Sequence, residues 1–599
     1  MSGVKLRMGD LRTWLFRYVP AFESLRTYSR AALVADLLAG LTVATVAVPQ
    51  AMAYALLAGL PPHYGLYTAI VMTAVGALLD SSKQLINGPT NAISIALLSA
   101  MALTPESERA SVAVLFALLV GLIQLGITVL RLGDLTRYVS HAVIVGFTLG
   151  AGILLVLSQF RNLVGIHPER GSAEDHFLKR FWLTLTEGGP INSPTLLIGV
   201  GTMVIVVGLR AFNDWMRRRG ARFPIPQHLV AVIVMALLVW TFELDVRFNV
   251  RVVGKVPAAL PRFQLPEVSW DHVRLLSGNA FGVAMLGLLE AIAMAKAIAA
   301  RTGQKLDINQ QCLSEGVANL TGSFFQCMPG SGSLTRSAIN VQAGAISQWS
   351  GVFSGAAVAV TTLLFAPLAG YIPSAALSGL LMLAAFRMVD FRQLQFHLRA
   401  TRFDAGIVIA TALSAIFISI EFCIVIGVFL SFVLYIPRAA RVQMTELARR
   451  GEGEIRERTQ GEPPCPRMLI YSLEGELFFG ATPELDNHLL TIEKAVTKET
   501  RLVLLFLKRA RNPDAAFLNL LDDFHRRLSE AGVTLLLCGV RADLARSLRD
   551  TRLDAQIGPD HIIYEGERTE TSTREAIDRA YQLLGEEYCS SCPRRMIVS

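Results

Sequence analysis

Arg336 is the only charged residue between Glu315 and Arg387. It follows Pro329, Gly330, Ser331, Gly332, Ser333 and Thr335, a run of small and hydroxyl-bearing residues that opens a short apolar stretch. A cation isolated among apolar neighbours is costly, which points to a ligand of opposite charge. A helix N-terminus presents unpaired N–H groups and about half a positive charge, and small residues there let an oxyanion reach the backbone. Asn87-Gly88-Pro89-Thr90-Asn91 is a second start of the same kind. Together the two offer amides, hydroxyls and one guanidinium, a donor set that suits sulfate, bicarbonate or a carboxylate. The alternatives for Arg336 are a structural pair with Glu290 and a snorkelling position at a helix end.

Glu290 and Lys296 share the apolar stretch 278–300, with Glu290 near its middle. A carboxyl buried there is a candidate for reversible protonation; the alternative is a salt bridge to Arg336 or Lys296, because buried charges are usually paired. No H-E-x-x-H, G-x-S-x-G or Walker-type G-x-x-x-x-G-K-[ST] occurs, so neither catalysis, nor direct ATP drive, nor a cofactor has local support. The cysteines Cys312, Cys327, Cys423, Cys465, Cys538, Cys589 and Cys592 lack the density of a disulfide scaffold. Cys589 and Cys592 form a lone C-x-x-C without the second ligand pair of a zinc site.

These residues have to be held by spanning helices. Of 599 residues, 52% are hydrophobic and 17% charged, too apolar and too long for one soluble core. The net charge of +8 comes from Lys and Arg gathered between apolar runs, a pattern of basic cytosolic loops rather than a nucleic-acid stripe. A span takes about 20 mainly apolar residues. Such stretches lie near 33–58, 64–80, 111–130, 138–160, 194–210, 228–244, 278–300, 350–367, 371–387, 403–420 and 421–437.

Three shorter ones, 90–103, 314–324 and 332–345, begin beside Gly-Pro or Pro-Gly and read as half-helices, bringing the segments to fourteen. Irregular backbone at membrane depth is tolerated where protein or a water-filled cavity satisfies it, so broken helices mark a substrate site; ordinary kinks are the alternative. Thr90 lies 40 residues after Gln50, which follows Pro49, and Gly330 lies 40 after Glu290. That spacing fits two halves of seven elements, the second inverted. Arg131 and Arg137, then Arg210, Arg217, Arg218, Arg219 and Arg222, then Arg387, Arg392, Arg399 and Arg402 all fall on the side of the N-terminus. By the positive-inside rule that side is the cytosol. The first 30 residues are basic, without an apolar run or cleavage site, and read as a cytosolic segment.

After Arg438 the composition turns soluble: 438–458 is charged and helix-prone, and Gly461, Pro463, Pro464 and Pro466 complete a linker over 438–465. Strands are expected at 468–473, 502–507 and 533–538, and helices at 483–496, 514–531, 541–549 and 573–584, a small α/β sandwich over 466–585 with a tail at 586–599.

The run Pro49-Gln50-Ala51-Met52-Ala53-Tyr54-Ala55, continuing through Ala58-Gly59-Leu60-Pro61-Pro62 to Gly65-Leu66-Tyr67, closely resembles the signature of the sulfate permease (SulP) family. A second match runs from Thr302-Gly303-Gln304-Lys305-Leu306-Asp307 through Asn309-Gln310 and Asn319, then Gly322-Ser323-Phe324-Phe325, to Arg336-Ser337-Ala338. The resemblance implies an α-helical membrane protein of fourteen transmembrane segments in two inverted repeats, a core domain moving against a gate domain, homodimers, and a cytosolic α/β STAS domain. It carries the anion pocket to Gln50, Tyr54, Thr90, Asn91, Ser333, Thr335 and Arg336, and proton or cation coupling to Glu290. The soluble domain reads Asp514-Ala515-Ala516-Phe517 where a STAS domain usually has Asp-Ser-Ser/Thr-Gly, so no hydroxyl remains there to phosphorylate. Its expected role is then assembly, trafficking or partner binding.

These observations predict a multi-pass transporter of the cell inner (plasma) membrane, both termini cytosolic, carrying a small oxyanion by secondary active transport. Sulfate by proton symport leads; bicarbonate with sodium, or a dicarboxylate, is the rival within the family. An anion channel or exchanger, or a sensor signalling through its soluble domain, is the rival of another class. No nucleic-acid partner is expected.

Overall fold

The computed structural model describes residues 19–102, 104–131, 140–166, 177–219, 225–450, 454–459, 465–565 and 569–585. Arg137, Arg222, Cys589, Cys592 and the first 18 residues lie outside them. The chain divides after Ser431 into two compact units.

The first unit is helical. In order come α1 (Arg30–Leu57), α2 (Pro62–Leu79), β1 (Asn87–Gly88), α3 (Asn91–Ala100), α4 (Arg109–Val129), α5 (His141–Val164), α6 (Phe177–Thr186), α7 (Ser193–Arg218) and α8 (Gln227–Phe242). Then follow α9 (Trp270–Thr302), α10 (Ile308–Ser323), β2 (Ser331–Gly332), α11 (Leu334–Gln342), α12 (Trp349–Ala369), α13 (Ser374–Met388), α14 (Phe391–Ala400), α15 (Arg402–Phe417) and α16 (Ile420–Ala439). Among the described residues, eight helices are long and apolar enough to cross a membrane. Every apolar stretch read from the sequence coincides with a helix, while α6 and α14 are short amphipathic helices that hydropathy passes over.

Packing partners are exchanged between the halves. α1 and α2 lie on α12, and α9 and α10 lie on α4; α5 packs on α15, and α13 on α7. At the centre β1 and β2 pair antiparallel, Asn87 opposite Gly332 and Gly88 opposite Ser331. This is the arrangement that two interleaved, oppositely directed repeats produce.

One expectation changes. The stretch 314–324 is not a half-helix but the end of α10, which starts at Ile308 with Asp307 as its cap, its carboxylate accepting from Gln310 N at 3.0 Å. Hydropathy discards Asn309, Gln310, Gln311, Ser314 and Glu315 as polar. In the fold, Gln310 donates to Leu79 O at 2.7 Å, and Gln311 and Ser314 donate to Asp80 at 2.6 and 2.7 Å.

The second unit carries a six-stranded sheet in the order β4-β3-β5-β6-β7-β8: β3 (Gln443–Arg450), β4 (Glu454–Glu457), β5 (Met468–Glu476), β6 (Leu502–Arg511), β7 (Thr534–Val540) and β8 (Ile562–Tyr564). β5 to β8 are parallel and β3 runs antiparallel to both its neighbours. The side chains of β6 alternate between two cores. Val503, Leu505 and Leu507 pack with α17 (Thr482–Ala495), α18 (Ala515–Glu530) and α19 (Ala542–Asp550), whereas Leu502, Leu504 and Phe506 pack with Ala576 and Ala580 of the last helix, Thr569–Leu584. The charged stretch after Arg438, expected to be helix-prone and part of a linker, instead forms β3 and β4. Backbone pairing to β5 and an Arg458–Glu446 ion pair at 2.6 Å override the helix propensity of Glu, Ala and Arg.

Candidate functional site

The site grows from the β1–β2 crossing. Gly88 has a φ of +143°, and a Cβ there would come within 2.7 Å of Arg336 Nη1; a Cβ on Gly330 would come within 2.5 Å of Gly88 O. Only glycine permits so close a crossing. Beyond it two helices begin, with Thr90 as the N-cap of α3 and Ser333 as the N-cap of α11, their hydroxyls facing Ile93 N at 3.5 Å and Arg336 N at 3.4 Å. Backbone and side chain lock the starts together: Ser333 N donates to Ile86 O at 2.8 Å, and Ser337 Oγ accepts from Ile86 N at 2.9 Å.

The two helix starts face a cavity of about 170 Å³. Its polar wall is Tyr54, Thr90, Asn91, Glu290, Ser333 and Thr335, and its opposite wall includes Val143, Phe147 and Ile424. Thr90 Oγ1 donates to Glu290 Oε2 at 3.1 Å, and Asn91 Nδ2 reaches Met388 Sδ at 2.9 Å. The N-caps therefore hold the carboxyl on one side and an α13 side chain on the other.

Two of the expected pocket residues sit behind this wall rather than in it. Gln50 is buried on α1, one helical turn before Tyr54, and its Oε1 has no partner among the described residues. Arg336 is fully buried; its Nη2 donates to Pro89 O at 2.8 Å, while Nε and Nη1 have no hydrogen-bond partner among the described residues. Tyr54 is the cavity residue that it faces. The expected alternatives for Arg336 and Glu290 do not occur: no ion pair joins them among the described residues, and Lys296 is exposed. Arg336 thus places positive charge under the first turns of both helices instead of reaching into the cavity.

Sequence reasoning missed Arg387, which lines the cavity from α13. It read this residue as a cytosolic charge at a span end. Its place as the last residue of the apolar stretch 371–387 was the available signal. Phe147 and Val143 carried none, being indistinguishable in sequence from lipid-facing residues.

A family model described as the sulfate permease family matches residues 33–411, and one described as the STAS domain matches residues 459–572. Sulfate transporter 4.1, chloroplastic, of Arabidopsis thaliana is 28% identical over 557 residues, covering 90% of this chain and 80% of the relative. The sodium-independent sulfate anion transporter of Bos taurus is 29% identical over 563 residues, covering 89% and 88%. Among solved structures, the murine Solute Carrier 26 family member A9 anion transporter in the inward-facing state aligns with a TM-score of 0.85 at 21% identity, covering 97% of this chain and 96% of that one. The transmembrane domain of a cyanobacterium bicarbonate transporter, BicA, aligns at 0.57 and 23% identity over 67% of this chain and 98% of its own. Both of these likenesses are of fold.

Proposed function

The chain belongs to the sulfate permease family, as a multi-pass membrane protein with a C-terminal STAS domain, and we propose that it is a secondary active transporter of small inorganic oxyanions, sulfate foremost, coupled to protons. The observation that carries the reading is the pair of capped helix starts, Thr90 on α3 and Ser333 on α11, opening onto one cavity with the Arg336 guanidinium buried beneath both. Each start brings unpaired N–H groups and a partial positive charge. Their sum, with one full charge behind, suits a small oxyanion and gives a neutral solute no advantage. The relatives named as sulfate transporters favour sulfate among the oxyanions.

Glu290 supplies the coupling. It lines the same cavity and accepts from the Thr90 hydroxyl, so a proton on Glu290 and an anion at the α3 start share one hydrogen-bonded unit. Protonation removes a negative charge from the wall that receives the anion, which links the two binding events with favourable sign. The core, joined across β1 and β2, moves as a body against the helices bearing Val143, Phe147 and Ile424, exposing the cavity to each side in turn. The protein works as a homodimer in the cell membrane with both termini cytosolic, and the STAS domain serves assembly or partner binding.

The test is radiolabelled sulfate uptake into proteoliposomes under an inward proton gradient, beside bicarbonate with and without sodium. Saturable sulfate uptake that requires the gradient and falls by about tenfold or more in Arg336→Ala supports the reading. Absence of sulfate uptake with robust sodium-dependent bicarbonate uptake replaces it.

A further inference from the structure

Of the fully buried carboxyls outside the cavity among the described residues, Asp36 is held by Tyr28, Ile346 N and Ser347, which leaves Asp80 and Glu315. Asp80 closes α2 and Glu315 lies in α10, and both are fully buried. Asp80 is surrounded by donors: Asn87 Nδ2 lies 3.1 Å from each of its oxygens, and Gln311 Nε2 and Ser314 Oγ donate to Oδ1 at 2.6 and 2.7 Å. Glu315, the residue after Ser314, has no hydrogen-bond partner within bonding geometry at either carboxyl oxygen among the described residues, and neither has Asn87 Oδ1.

No cation balances the pair. The charged groups that face Glu315 are Asp80 and, from α9, Glu290, both acidic. α4, packed along α10, carries one charged residue, Arg109, at its first position and far along the helix from the contact made by Gln124 with Asn319. Among the described residues neither Asp80 nor Glu315 joins an ion pair.

Two carboxylates facing one another in a dry interior do not both stay ionised. The distribution of donors says which gives way. Asp80 accepts from three side chains, Asn87, Gln311 and Ser314, the environment of an anion, while the one donor near Glu315 among the described residues is the Gln311 amide, whose bond at 2.6 Å goes to Asp80, the environment of a neutral acid. A metal cation would need a shell of about six oxygens, whereas three side chains around Asp80 and Glu315 present donors, the Asn87 and Gln311 amides and the Ser314 hydroxyl. A proton needs no such shell.

We propose that Asp80 and Glu315 form a proton-binding site, separate from the cavity, that holds one proton on Glu315 against the charge of Asp80. On binding, the Glu315 carboxylate and one proton become the carboxylic acid, leaving a single negative charge on Asp80. The site is wired to the crossing. Asn87, whose amide binds Asp80, is a β1 residue opposite Gly332, and its carbonyl accepts from Thr73 Oγ1 at 2.6 Å. Losing the proton would set a second charge beside Asp80, the carboxylate that Asn87 of β1 binds. The inference does not depend on which anion the cavity carries.

Infrared difference spectroscopy on the full-length protein in lipid at pH 7 tests it, with wild type, Glu315→Gln and Glu290→Gln, each with and without sodium. The wild type is expected to show the carbonyl stretch of a buried protonated carboxyl that Glu315→Gln removes, Glu290→Gln retains and sodium leaves unchanged. A wild-type spectrum without that band, a band that survives Glu315→Gln, or one that sodium abolishes would overturn the proposal. Gln copies the shape of the neutral acid, so Glu315→Gln is expected to melt no lower than wild type at pH 7. A variant that melts lower or does not fold means the fold uses the carboxylate form, and also overturns it.

Discussion

Arg336 donates from Nη2 to the carbonyl oxygen of Pro89 at 2.8 Å, so the cation of the second half-helix is anchored to the residue that precedes the first. The bond joins the two halves of the chain across 247 residues. Replacing Arg336 with Ala removes a charge-assisted bond worth about 1.5–3 kcal/mol together with the charge beneath the helix starts. Sulfate uptake at low substrate is expected to fall by about 10- to 100-fold. Arg336→Lys keeps the charge but not the planar fork, and an intermediate rate in the same assay is the expected result.

Gly88 is confined from two directions, by its φ of +143° and by the guanidinium that a Cβ would meet at 2.7 Å. Gly88→Ala is therefore expected to destabilise the protein by about 1–3 kcal/mol, read as a lowered melting temperature in detergent. If Gly88→Ala melts with the wild type, Arg336 does not pack on this strand as described.

Glu290→Gln preserves the shape of the side chain and the contact with Thr90 but carries no exchangeable acid. Wild-type uptake is expected to rise as the external pH falls, because protons then load the carrier from the side where the anion is offered. In Glu290→Gln that rise should vanish while exchange of sulfate for sulfate across the membrane continues. A variant that keeps the full pH response would assign coupling to another group.

In the STAS domain, burial pushes the Cys538 thiol up to about 12, Lys508 opposing and Glu575 assisting. The thiol also donates to Ser572 O at 3.4 Å. Only about one part in ten thousand is thiolate at pH 8, and the reactive fraction grows only as pH rises toward 12. Iodoacetamide mapped by mass spectrometry at pH 8 should leave Cys538 unmodified until the domain is unfolded with urea.

Both half-helix starts were legible because glycine and proline leave a conspicuous gap in hydropathy, at Gly88-Pro89 and at Pro329-Gly330. The isolation of Arg336 was equally plain. The direction of its side chain was not, because position along a helix does not tell which side of a crossing strand the helix lies on. α10 was read too short, since its polar residues satisfy Asp80 and Leu79 O rather than water, a role visible only once α2 is beside it. β3 and β4 were read as helix and linker, since their pairing with β5 is a tertiary relationship that local propensity cannot report.

The four residues of β1 and β2 meet through their main chains, at Asn87, Gly88, Ser331 and Gly332. Backbone pairing of this kind is indifferent to most side chains nearby. Thr90 and Ser333 are tied to it as the caps of the two helices, whereas Asn91 and Thr335 stand outside it. Substitution at Asn91 or Thr335 therefore alters what the cavity presents to a solute while the pairing of Asn87 with Gly332 and of Gly88 with Ser331 stays as it is, which separates the choice of ligand from the integrity of the frame.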